Sequence, residues 1–155
     1  MKRNKYFPIG EHSSRTLRVQ DIAEGFVHES RRVHLSRAER NTVRRMEALV
    51  RRSDDLDKDE LDTLDYMINE NIPAIVEAHI LPYTYYGSIE GDGACIGVWP
   101  DYESARYAME EDYILPYDLD VPSYRGLLLE VNERGSVTLW EREDNKSLIE
   151  IWSMV

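Results

Sequence analysis

One cysteine, Cys95, stands in 155 residues, so no disulfide forms within the chain, which fits a reducing compartment. No apolar run reaches the length of a membrane span. The basic opening Met1-Lys2-Arg3-Asn4-Lys5 is followed by no apolar segment, so no signal peptide is expected and the chain reads as cytoplasmic. Four histidines, His12, His28, His34 and His79, lack metal-ligand spacing. Ser-His-Asp, nucleotide-binding and zinc signatures are missing, as are repeats and low-complexity tracts. No cofactor, metal or catalytic residue is expected, and the chain reads as a non-enzyme.

What the chain has is acid. Thirty Asp/Glu against nineteen Lys/Arg leave a net charge of −11, unevenly spread. Residues 1–52 hold thirteen basic and six acidic residues, and the remainder holds six basic and twenty-four acidic. Such a split points either to separate partners for the two halves or to halves that face each other. Ten tyrosines and three tryptophans within a 42% hydrophobic composition call for a folded protein. The length suits one domain over 1–155.

The pattern predicts an α+β fold, with N-terminal helices packed on a mostly antiparallel sheet. Residues 1–17, with Pro8, Gly10, Ser13 and Ser14, read as an irregular arm, and 18–80 as a helical half. Apolar residues from Val19 to Val33 recur at helical spacing, with Gly25 as a weak point. Ser36-Arg37-Ala38-Glu39 has capping-box spacing, and Asp57 with Glu60 makes an acidic version of it. Pro73 is expected to open a short helix. Residues 83–155 read as a hairpin around Glu90-Gly91-Asp92-Gly93, a short helix capped by Asp101, a loop over 113–125 and a three-strand meander. Turns are expected at Asn132-Glu133-Arg134-Gly135 and Glu143-Asp144-Asn145-Lys146.

Two stretches invite a site. The first is the hairpin, where Tyr85, Glu90, Asp92 and Trp99 surround a Gly-rich turn, although its two acids would repel an anion. Cys95 and His79 would form a nucleophilic pair only if the fold joined them. Asp55-Leu56-Asp57-Lys58-Asp59 starts like an EF-hand loop, but Glu60 replaces the glycine at the sixth position and Tyr66 the glutamate at the twelfth. The second is acidic: Asp54, Asp55, Asp57, Asp59, Asp62, Asp65 and Glu70, then Glu103, Glu110, Glu111, Asp112, Asp118 and Asp120. Spread carboxylates imitate DNA phosphates and suit a basic groove on another protein; the alternative is a solvated face that keeps the chain soluble. Arginines 37, 40, 44, 45, 51 and 52 are expected to pair with the acidic helix rather than bind nucleic acid directly.

The run Tyr86-Gly87-Ser88-Ile89-Glu90-Gly91-Asp92-Gly93-Ala94-Cys95-Ile96-Gly97-Val98-Trp99-Pro100 resembles a signature of small uncharacterised proteins of bacteriophages and bacterial mobile elements. The Gly10–Arg18 segment is similar to their start, with Arg15 where the pattern has glycine. Gly126–Asn132 and Gly135–Leu139 resemble their end. The resemblance implies a phage or mobile-element origin, hence a host cytoplasm. With the acidic surface, it implies a protein that binds a basic host protein, such as a defence nucleoprotein, and no membrane. The alternative is a small enzyme or ligand-binding module at the hairpin.

Overall fold

The computed structural model of the chain describes residues 2–119, 121–144 and 147–155. The acid expected at Asp120 and the turn residues Asn145 and Lys146 lie outside them. The fold is α+β, and its two sheets belong to two compact units. One unit is Met1–Leu81 with Tyr85–Trp99, the other Pro82–Thr84 with Pro100–Val155.

The first unit holds helices α1 (Val19–Ser30), α2 (Arg37–Val50), α3 (Lys58–Tyr66) and α4 (Ile72–Glu77). Ser36 Oγ accepts the Glu39 N–H at 3.2 Å, and the Glu39 carboxylate accepts the Ser36 N–H at 2.7 Å. This is the reciprocal box expected at the start of α2. At α3, Asp57 accepts the Glu60 N–H at 2.9 Å, but Glu60 turns to Arg52 instead of closing a box. A π-helical turn, Met67–Asn71, runs from α3 into α4, so Pro73 sits in the first turn of a continuing helix rather than after a break. Phe7, Phe26, Val33, Met46, Leu64, Ile72, Val76 and Val98 form the centre of the core.

The expected irregular arm instead contains strand β1 (Gly10–Ser13). It pairs antiparallel with β3 (Asp92–Pro100), whose other neighbour is β2 (Thr84–Ile89). Four mostly polar residues carry no strand signal, and two distant glycines make room for them. A Cβ on Gly97 would lie 2.0 Å from the Gly10 carbonyl oxygen, and one on Gly25 would lie 2.3 Å from that of His12. Gly25 is therefore a packing requirement of β1, despite its cost of about 1 kcal/mol inside a helix. The hairpin of β2 and β3 belongs with the helices rather than with the C-terminal strands, because Val98 and the half-buried Tyr86 pack into the helical core.

The second unit opens with α5 (Tyr102–Glu110), whose cap Asp101 accepts the Ser104 N–H at 3.0 Å. The expected loop contains a two-residue strand, β4 (Leu115–Pro116), parallel to β5 (Gly126–Val131). Then β6 (Val137–Arg142) and β7 (Leu148–Met154) complete the antiparallel meander. Leu129, Leu139 and Trp152 lie opposite one another across three strands, all buried. The Trp152 indole donates to the Pro82 carbonyl at 2.9 Å, and the Asp101 N–H to that of Tyr83 at 2.8 Å. Among the described residues no helix is long and apolar enough to cross a membrane.

Candidate functional site

Leu64 of α3 and Met67 of the π-helical turn after it are buried in the core, which leaves Asp59, Asp62, Asp65 and Tyr66 exposed. Asp55, on the short 3-10 turn before α3, is exposed as well. Asp59 lies in the first turn, where the helix dipole favours it. Asp62 and Asp65 lie beyond that turn, and like charges three residues apart cost roughly 0.2–0.5 kcal/mol per pair. Tyr66, 63% exposed, adds a large aromatic surface beside the carboxylates. Asp54 is neutralised by Arg18 at 2.8 Å and Glu60 by Arg52 at 3.0 Å. Asp55, Asp59, Asp62 and Asp65 form no ion pair among the described residues.

The acids of the second unit are placed differently. Glu103 and Glu110 clamp Arg106 at 2.9 and 2.6 Å. Glu111 and Asp112 stay exposed at the end of α5, where the dipole opposes them. Asp112, at φ 60°, also closes a Schellman motif: its N–H donates to the Met109 carbonyl and that of Tyr113 to Ala108.

Three of the four hairpin residues bond within the hairpin. Gly91 takes φ +84°, and Asp92 accepts the Ala94 N–H at 3.1 Å. The Trp99 indole donates to the Gly87 carbonyl at 3.0 Å, and the Tyr85 hydroxyl to that of Ser88 at 3.4 Å. Glu90 is exposed at the turn. Cys95 and His79 have separate partners. The Cys95 thiol lies 3.6 Å from Glu11, and burial followed by the Glu11 carboxylate pushes it up, which disfavours the thiolate a nucleophile needs. The His79 ring bonds the Glu39 carboxylate at 3.0 Å. Burial pushes that carboxyl up, but hydrogen bonds from Ser36 and His79 bring it below its usual value. Asp57 of the EF-hand-like stretch is a helix cap, so the chain there turns into α3 instead of wrapping an ion.

Two features escaped the sequence reading. A cavity of about 620 Å³ lies among the segment after β1, α1 and α2, lined by Ser13, Thr16, Glu24, His28, Arg31 and Arg51 among others. His12 borders it, with Nε2 bonded to the Pro8 carbonyl at 3.0 Å and Nδ1 buried without a partner. Burial holds its pKa below the usual histidine value. The second feature is the fate of the α2 arginines. Among the described residues Arg52 is the one α2-side arginine that pairs with the acidic helix, while Arg51 bonds Glu47 of its own helix. Arg37, Arg40, Arg44 and Arg45 form no ion pair among the described residues, so the expected neutralisation of one helix by the other fails. Guanidinium reach depends on where the two helices sit, which residue spacing does not specify.

Compared with known proteins, the chain matches no family model, no curated protein and no solved structure.

Proposed function

We propose that the chain works by binding another protein, with the exposed face of α3 as the contact and a basic, nucleic-acid-binding surface as its target. The observation that carries this reading is the set of exposed carboxylates at Asp55, Asp59, Asp62 and Asp65, which form no ion pair among the described residues. A helix needs none of the last two for its own stability, and a solubilising surface would gain as much from interspersed charges of both signs. Tyr66 supplies the kind of aromatic anchor that concentrates binding energy at interfaces. Glu111 and Asp112 of the second unit, without an ion pair among the described residues, offer a separate acidic contact. The resemblance to phage and mobile-element proteins makes a host defence nucleoprotein the favoured partner class, held by mimicry of DNA phosphates.

The test is affinity capture from a bacterial host lysate at low and high salt. Recovery of a basic nucleic-acid-binding protein, lost at high salt and in the triple variant Asp55→Asn, Asp59→Asn, Asp62→Asn, supports the reading. Capture that ignores both salt and the triple substitution overturns it.

A further inference from the structure

A second, oppositely charged feature lies in the first unit, where the N-terminal segment, the end of α1 and the start of α2 surround a small depression. Asn4 forms a parallel bridge with Val33, which lays the N-terminal segment beside the α1–α2 connection. The depression measures about 210 Å³, and four arginines line it: Arg3, Arg31, Arg40 and Arg44. Its single carboxylate is Glu47, and Glu47 Oε1 is already engaged by Arg31 at 2.6 Å and by Arg51 at 3.3 Å. The hydrogen bond from Arg31 holds that carboxyl below its usual value against the opposing effect of burial. Val33 and Leu35, both buried, form an apolar floor.

We propose that this depression is an anion site for a phosphoryl group. Two of its guanidiniums are fixed in advance: Arg31 by Glu47, and Arg40 by donation to the Leu35 carbonyl. Arg3 and Arg44 form no ion pair among the described residues and keep their donors for a ligand. Planar guanidinium forks give paired hydrogen bonds to phosphate oxygens. Four of them suit a tetrahedral anion of charge near −2 better than a carboxylate with two oxygens. The volume falls below the roughly 300–1,000 Å³ of small-molecule pockets, so one or two phosphoryl groups enter and the rest of the ligand stays outside. A free phosphate compound and a nucleic-acid backbone both present this chemistry. The site shares no residue with the acidic face, and neither reading needs the other.

Titration calorimetry on the full chain at low ionic strength tests it, with inorganic pyrophosphate and a short oligothymidylate as probes. Saturable binding of pyrophosphate is expected, weakened about tenfold or more by Arg44→Gln and by Arg3→Gln, as loss of a charged hydrogen bond implies. Arg37→Gln and Arg45→Gln remove the same charge outside the depression and are expected to leave affinity unchanged. Tighter binding of the oligothymidylate identifies a backbone as the source, and preference for pyrophosphate identifies a free compound. No binding of either probe at millimolar concentration overturns the proposal. So does equal weakening by Arg45→Gln and Arg44→Gln, which would reduce the effect to diffuse charge.

Discussion

Arg15 holds φ at 63°, in the left-handed region where a Cβ crowds the following carbonyl at a cost of about 1–2 kcal/mol. Replacing Arg15 by glycine removes the crowding and adds some freedom to the unfolded chain, which returns about 0.5–1 kcal/mol of the gain. Arg15→Gly is expected to stabilise the protein by about 0.5–1 kcal/mol, read as a rise of a few degrees in Tm by circular dichroism. A lower Tm would contradict the strain argument. Asp112 has a similar angle, but aspartate tolerates it better and the Schellman motif requires it. His12 shows the opposite bargain: burial lowers the pKa of its ring, with one nitrogen bonded to Pro8 and the other without a partner among the described residues.

Elements whose signals are local were legible. The capping box of α2, the Asp57 and Asp101 caps, the hairpin and the C-terminal meander all follow from residues within a few positions of one another. Strand β1 was not, because its reasons lie at Gly25 and Gly97. Neither glycine is placed there by its own element. Gly25→Ala is expected to cost at least about 1–3 kcal/mol by overpacking, even though alanine favours helices. Gly93→Ala, where a Cβ meets nothing within 4 Å, serves as the control. Urea denaturation of both variants decides: a neutral or stabilising Gly25→Ala would mean that β1 does not need the close approach. The candidate sites divide in the same way. Carboxylates on α3 were visible as a charge run, whereas the phosphoryl site draws Arg3, Arg31, Arg40 and Arg44 from three segments. Only the excess of basic residues over 1–52 hinted at it.

Each unit has its own core, and the three tryptophans divide between them: Trp99 in the first, Trp140 and Trp152 in the second. Leu139 is fully buried at the centre of the second sheet, so Leu139→Ala is expected to cost about 2–5 kcal/mol. In a Trp99→Phe background, that substitution should lower the denaturation midpoint seen by the remaining tryptophans. The midpoint seen by Trp99 alone, with Trp140 and Trp152 replaced by Phe, should stay in place. Equal shifts in both would show one cooperative transition instead of two. The pairing of β1 with β3 also bears on biosynthesis. Gly10 leaves the ribosome long before Val98, the residue it pairs with, and Pro82 long before Trp152, whose indole it binds. Neither unit closes until late in translation, so a nascent chain arrested near Leu81 displays Phe7, Phe26 and Met46 without their β3 neighbour Val98. Transiently exposed apolar surface of this kind is aggregation-prone, so such a fragment is expected to depend on chaperones until β3 is made.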